Sequence, residues 1–337
     1  MDSGVQRRYT GINIRRQTDV EGGHHMIIIR VMGGLGNQLQ QYALYKKLES
    51  MGKEVRLDIS WFRNADVQEA VLAERELELN FLNGISYRAA APDEIRSVLG
   101  RLWEEKEKTA AKLKRKLMPA SDPCFLEDDM YHEQIFQFEN KYLVGYWACE
   151  KYYADILEKL RREISFPGEN TLAGSADIAR RNAEMIQKMQ ETESVSVHIR
   201  RGDYLDAANR PIFGGISTKD YYRAAIAYLK ERHPGAKFYF FSDDIPYVRE
   251  HYQEDACEMI DWNHGRDSIY DMMLMSRCRH NICANSTFSF WGARFNPYES
   301  KIMIRPSIHK NTQICIPEQM KALWDGWTLI TPQGKTL

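Results

Sequence analysis

The ordered part of the chain opens on an apolar run, "MIIIRVM" at 26–32, which reads as a buried strand over 26–31. A glycine turn at 33–36 follows. Leu39, Tyr42, Ala43 and Leu48 then recur on one side of a helix predicted from about Asn37 to Met51. "EVRLDI" at 54–59 supplies a second strand, and strand, helix and strand in this order start an α/β sheet. The stretch 94–117 is strongly charged, and "EEKEKTAAKLKRKL" within it predicts an exposed helix carried by opposite charges four residues apart, with no chemistry assigned to it. "YLVGYWACEKYYADI" at 142–156 mixes a strand with the start of a helix at the edge of this first unit. Its aromatic residues read as a core cluster in preference to a sugar-stacking platform.

"SFPGENTLAGS" at 165–175 gathers Pro, Gly, Asn and Ser, the composition of a connection between domains, and the boundary is placed there. Beyond it the alternation restarts. Strands are predicted at 195–199, 237–242, 257–261, 280–284 and 301–305, with helices at about 218–232, 267–278 and from Ser286. Strands separated by helices of this length make a parallel, doubly wound sheet, whose ligands sit outside the carboxyl ends of the strands. The division is therefore a loose leader at 1–25, one α/β domain at 26–170 and a second at 171–337, each with its own core and with a site in the cleft between them.

Composition narrows the function classes. A formal charge of −1 supplies no general field for nucleic acid or an anionic membrane. Arg30 interrupts the first apolar run, which falls far short of the ~20 residues of a membrane span. Residues 1–25 lack the apolar centre of a secretory signal. The six cysteines form no C-x-x-C pair, which suits reduced, buried thiols in a cytoplasmic protein.

The chemistry is concentrated at the strand ends. In "VSVHIRRGDYLD" at 195–206, Val195, Val197 and Ile199 alternate with Ser196, His198 and Arg200, and Gly202 turns the chain. Arg200, Arg201 and Asp203 then cluster at the sheet's carboxyl edge. Two adjacent guanidiniums suit a diphosphate clamp, and an Arg–Asp ion pair at a loop is the plainer alternative. "FFSDD" ends in Ser242, Asp243 and Asp244, which either accept from a nucleotide or cap a helix. "CANSTFSFWGARF" places Asn285, Ser286, Thr287 and Ser289 at a helix start, as an anion site or as ordinary capping. "GGLGNQLQQ" at 33–41 is a weak dinucleotide fingerprint, because Leu39 stands where a third glycine belongs. Asn37 and Gln38, at the helix start, are its purposeful residues. No Asp-x-Asp spacing and no histidine–carboxylate cluster with ligand spacing is visible, so no metal is expected, and a bound diphosphate would be neutralised by arginines and a helix dipole.

Together "HIRRGDY" at 198–204, "GGLGNQLQQYA", "FSDD" and "NSTFSFWGA" resemble, in this order, the α-1,2-fucosyltransferases of glycosyltransferase family 11. The resemblance covers roughly 26–310 and leaves out the leader and the charged stretch near 100–117. It implies a GT-B fold of two facing Rossmann-like domains, with GDP-β-L-fucose held mostly by the C-terminal one and an acceptor galactoside approached from the N-terminal one. The implied reaction carries L-fucose to the 2-hydroxyl of a terminal β-galactose with inversion and without an essential metal or other cofactor. By position, Arg200 and Arg201 would hold the β-phosphate, His198 would contact nucleoside or phosphates, and Asp243 would bond the guanosine. Ser286, Thr287 and Phe288 would line the diphosphate end, Asn37 would reach the sugar-phosphate and count with Arg200 and Asp203 among the catalytic residues, and Gly36 and Gln38 would belong to the GDP-fucose site.

The membrane anchor usual in eukaryotic members has no counterpart here, which implies a bacterial, cytoplasmic enzyme. A lipid-linked acceptor would bring only peripheral membrane association. An inverting displacement needs a proton acceptor for the attacking hydroxyl. Asp203 is the first candidate; holding an arginine is its other role, and the family leaves room for a reaction so dissociative that the leaving phosphate suffices. A nicotinamide oxidoreductase and a non-catalytic GDP-sugar or glycan-binding module are the rival classes. The acceptor's identity and the oligomeric state are not written in these motifs.

Overall fold

The computed structural model describes residues 25–64, 75–100, 102, 122–168, 172, 174–253 and 255–337. The expected leader therefore lies outside the described residues except at His25, and so do the predicted charged helix at 104–117 and much of the connection near 170.

Two parallel sheets carry the architecture. The first has the order β2-β1-β4-β3, built from β1 (Ile27–Arg30), β2 (Val55–Asp58), β3 (Cys124–Leu126) and β4 (Lys141–Val144). Helix α1 (Leu35–Ser50) crosses between β1 and β2, which pair in parallel from Ile27↔Val55 to Arg30↔Asp58. Helix α2 (Pro92–Leu99) buries Ile95, Val98 and Leu99 on the other face, against Ile28 and Tyr142. The strand of the aromatic stretch is not at the edge, as the pattern suggested. β4 is interior, between β1 and β3, and β3 is a strand that the sequence pattern did not show. After β4 come helical turns and α3 (Leu157–Glu163), and Trp147, Tyr152 and Tyr153 are wholly buried as a core cluster.

The second sheet has the order β10-β9-β8-β5-β6-β7, again all parallel. Its strands are β5 (Ser194–Ile199), β6 (Lys237–Ser242), β7 (Ala256–Ile260), β8 (His280–Ile282), β9 (Met303–Pro306) and β10 (Trp327–Ile330). All six residues of β5 are buried, the polar alternates included, because helices cover both faces. Val195, Val197, Phe238 and Phe240 pack under α5 (Lys219–Arg232) and α6 (Ile245–Tyr252). Tyr239 and Phe241 face α4 (Ala176–Gln190) and α7 (Ile269–Arg277). Two parallel sheets, each wrapped by helices and meeting along a cleft, constitute a GT-B fold.

A separate core for each half holds only on the outer layers. The largest apolar cluster runs from Leu35, Leu39 and Leu143 through Trp147 and Tyr153 into Phe290 and Trp291 of α8 (Thr287–Phe295), Leu323 of α9 (Pro317–Leu323), and Trp327 of β10. Among the described residues no helix is long and apolar enough to cross a membrane. The described cysteines are unpaired, and Cys124, Cys149, Cys278 and Cys283 are buried.

Candidate active site

The carboxyl ends of β5 and β6 bring the expected arginines and carboxylates together. Arg200 places Nε 3.0 Å and Nη2 2.7 Å from Asp203 Oδ1, while its Nη1 lies 2.9 Å from Asp243 Oδ2. Arg201 donates its backbone N–H to Asp243 Oδ1 at 2.9 Å, pairs with Asp244 through Nε at 2.9 Å, and lies 3.6 Å from the centre of the Tyr247 ring. The repulsion between neighbouring guanidiniums is thus relieved by three carboxylates, the ion-pair arrangement that the sequence left open. Burial alone would lower the Arg200 pKa, but Asp243 and Asp203 outweigh it and raise it, so the guanidinium stays charged. With five N–H donors in its fork, Arg200 keeps free donors on both terminal nitrogens while the carboxylates fix its plane.

Asp243 is therefore a keeper of the arginine pair: both its oxygens are engaged, and Gly202 turns directly against it, where a methyl group would lie 2.6 Å from Oδ2. Asp244 caps α6 by accepting from the Tyr247 N–H at 3.1 Å. Asp203 also borders Arg75, with Oδ2 at 3.7 Å from Nη2. His198 is buried beside Phe288, with ring centres 5.9 Å apart, and its Nδ1 has no partner. Burial, reinforced by the Arg200 charge, lowers its pKa to about 3, so the imidazole is neutral at physiological pH.

The glycine-rich entry motif is divided between packing and the cleft. Gly33 takes the turn at φ 81°, and Gly34 precedes a helix that begins at Leu35, two residues earlier than the pattern predicted. Gly36 thereby falls inside α1, at the point where it meets the start of α8. A methyl group on Gly36 would stand 2.5 Å from the Phe288 nitrogen and 2.5 Å from the Thr287 carbonyl carbon. Asn37 faces the cleft and accepts from the Thr287 hydroxyl at 2.9 Å, which leaves its Nδ2 hydrogens available.

Gln38 does not face the cleft. It is fully buried, donates to the carbonyls of Gly33 (2.8 Å) and Glu76 (2.9 Å), and accepts from the Leu79 N–H at 3.1 Å. A buried amide beside a loop is useful for closing backbone hydrogen bonds, and that is how Gln38 is used. Ser286 precedes α8 without a side-chain cap bond, so the helix presents unpaired N–H groups next to Thr287 and Phe288.

Between the sheets lies a cavity to which Asn37, Asp129 and Tyr146 contribute from one side and Tyr204, Asn285 and Thr287 from the other, with His309 and Lys310 at its border. Tyr204 is tied into the site by its hydroxyl, which donates to the Asn285 carbonyl at 3.1 Å. Asp129, Tyr146, His309 and Lys310 were not among the sequence candidates. They sit on loops after β3, β4 and β9, where no periodicity or motif marks them.

Among the described residues, one trio has ligand-like spacing: Glu193, His233 and His280. It lies at the amino-terminal edge of the second sheet, away from the cleft. His280 Nδ1 accepts from the Ile302 N–H at 3.0 Å, so the neutral ring carries its proton on Nε2 and donates it to Glu193 at 2.8 Å. A ring in that tautomer offers a metal no lone pair.

Two doubly wound parallel sheets facing a cleft, with an arginine held at the end of the central strand, are the architecture of a GT-B glycosyltransferase. The profile of Glycosyl transferase family 11 matches residues 126–330, well over half of the chain, and the chain belongs to that family. It is 29% identical over 288 residues to an alpha-1,2-colitosyltransferase of Escherichia coli, covering 84% of this chain and 91% of that protein. Against the O-antigen biosynthesis glycosyltransferase WbnK of Escherichia coli, identity is 28% over 299 residues, covering 81% of this chain and 91% of the relative. A galactoside alpha-(1,2)-fucosyltransferase 1 of Leontopithecus chrysomelas is 31% identical over 101 residues, 29% of this chain and 28% of its own. The nicotinamide alternative falls with this membership.

Proposed function

We propose that the protein transfers L-fucose from GDP-β-L-fucose to the 2-hydroxyl of a terminal β-galactoside, inverting the anomeric carbon and using no divalent metal. The observation that carries the reading is Arg200: a charged fork at the carboxyl end of β5, its plane locked by Asp203 and Asp243, with donors left over at both tips. As the sugar–phosphate bond breaks, negative charge grows on the departing GDP and positive charge on the ring. A donor already fixed in place stabilises that charge separation more than it stabilises the bound donor. The start of α8, at Ser286, Thr287 and Phe288, adds N–H groups and the positive end of the helix dipole, which together with Arg200 neutralise a diphosphate as a metal would.

In this reading Asn37 Nδ2 reaches the sugar-phosphate, and neutral His198 offers its free Nδ1 to a hydroxyl. Arg201, stacked and paired with Asp244, supports the loop beside the phosphates. The relatives' names supply the α-1,2 linkage, and the buried free thiols of Cys124, Cys149, Cys278 and Cys283 fit a reducing, cytoplasmic setting.

The test is GDP release from GDP-fucose with a panel of free and lipid-linked β-galactosides, in EDTA, with the product linkage read by NMR and Arg200→Ala alongside. Acceptor-dependent release in EDTA, an α-1,2 linkage, and a loss of about a hundredfold in Arg200→Ala are expected. The corresponding colitose nucleotide is included because a colitosyltransferase is among the relatives. Preference for it would replace fucose as the sugar moved. GDP binding without turnover of any donor would leave a binding module instead.

A further inference from the structure

The transfer proposed above leaves a proton to be placed, and the following inference rests on that reading. Asp203 is badly placed for it, because the residue does not line the cavity between the sheets. Among the described residues that do line the cavity, one carboxylate is present, Asp129.

Three observations single it out. Its backbone adopts φ 69°, a left-handed conformation that non-glycine residues seldom hold and that recurs where a side chain must be presented at a functional site. It is fixed across the cleft: the loop after β3 carries it from the first sheet, and the loop after β9 in the second sheet answers it. Lys310 Nζ lies 2.7 Å from each of its oxygens, and His309 Nε2 lies 3.4 Å from Oδ1. The cavity beside it is walled by the aromatic rings of Tyr146 and Tyr204, the kind of apolar surface on which a galactose ring can lie, and by the amide of Asn37 on the donor side.

We propose that Asp129 is the catalytic carboxylate that accepts the proton of the attacking 2-hydroxyl, with Lys310 and His309 as positioning residues. In the step, the bond from the fucose anomeric carbon to the β-phosphate oxygen breaks and its electron pair leaves with GDP. A lone pair of the acceptor oxygen forms the new carbon–oxygen bond, and the hydroxyl proton passes to an oxygen of Asp129, from which it returns to solvent.

Burial raises the Asp129 carboxyl, but His309 and Lys310 outweigh it and hold it well below the usual carboxylate range, so it is ionised. A weak base suffices, because the hydroxyl becomes strongly acidic once its oxygen bonds to the cationic sugar. Glu127, two residues earlier, is pushed up to about 7 by burial and by Asp129, so Asp129 carries the more secure negative charge of the two.

Asp129→Asn and Asp129→Ala are compared with wild type for kcat, for the galactoside KM, for the Kd of GDP, and for response to added formate. With wild type active, the proposal expects kcat to fall about a hundredfold or more in both variants. GDP affinity should stay within about threefold of wild type, and formate should partly restore Asp129→Ala but not Asp129→Asn. A kcat within fivefold of wild type in Asp129→Asn overturns it. So does a loss confined to KM, or a joint loss of GDP binding in both variants, which would make Asp129 a tie between the halves. Absence of transfer by the wild-type protein marks instead the failure of the functional reading beneath it.

Discussion

Replacing Gly36 with alanine tests whether the meeting of α1 and α8 sets the geometry of the cleft. The added carbon would lie 2.5 Å from the Phe288 nitrogen, 2.5 Å from the Thr287 carbonyl carbon and 2.7 Å from its oxygen. Comfortable contacts are ~3.5–4.0 Å, so the overlap is about 1 Å or more. All three atoms are backbone, and no rotamer change relieves them; the start of α8 has to back away from α1. Overpacking of this kind costs roughly 1–3 kcal/mol, and at about 2–4 °C per kcal/mol a fall of several degrees in Tm is expected.

The functional loss should be larger than the stability loss. A displacement of that size stretches the 2.9 Å hydrogen bond between Thr287 and Asn37 and shifts the helix start beneath the diphosphate. Misplacement by about 1 Å in an active site can cost ~10²-fold in rate. Calorimetry and steady-state GDP release would be run on Gly36→Ala beside Gly235→Ala, where an added methyl meets nothing within 4 Å. If Gly36→Ala melts within 1 °C of wild type and keeps its kcat (thresholds of about the measurement error), the close approach does not govern the site.

Two further outcomes follow from the same geometry. In His198 the folded-state pKa is about 3, against 6.5 when unfolded, so below pH 6.5 the unfolded chain binds a proton that the folded chain refuses. This group's stability contribution is therefore intact above 6.5 and is lost as pH falls towards 3, by up to about 1.4 kcal/mol per unit. His198→Gln should gain on wild type between pH 6.5 and 4.5 in urea titrations, and a pH-independent difference would contradict the assignment. Gln38→Leu leaves the Leu79 N–H without its partner and should cost about 1–3 kcal/mol in the same titrations while sparing GDP affinity. Weakened GDP binding at unchanged stability would return Gln38 to the donor site.

Most of the parallel strands, and the helices α1, α5, α7 and α8, were legible from local periodicity, whereas α4 and the crossover helix α6 between β6 and β7 were not. The strand ends were legible because residues such as Arg200, Asp203 and Asp243 are chemically conspicuous next to apolar runs. β3 and β10 were not read, so length alone does not decide legibility: β8 is as short as β3 and β1 as short as β10, and both were read. What a motif residue does once folded was harder to read. Gln38 and Asn37 are neighbours of similar chemistry, yet helix rotation buries one and presents the other to the cleft. Asp129 and Lys310 were invisible for another reason: they are 181 residues apart, and only the closure of two sheets on one another makes them a pair.

The apolar cluster shared by both halves bears on how the protein is made. Cys149 donates to the Leu323 carbonyl, and Glu150 accepts from the indole of Trp327, so the chain after β4 is completed by segments synthesised almost two hundred residues later. On the ribosome the first sheet can form its strand ladder early, but the layer around Trp147 and Tyr153 stays unsheltered until α8, α9 and β10 have emerged. The layer shared by the halves therefore reaches its full burial only when the whole chain is present.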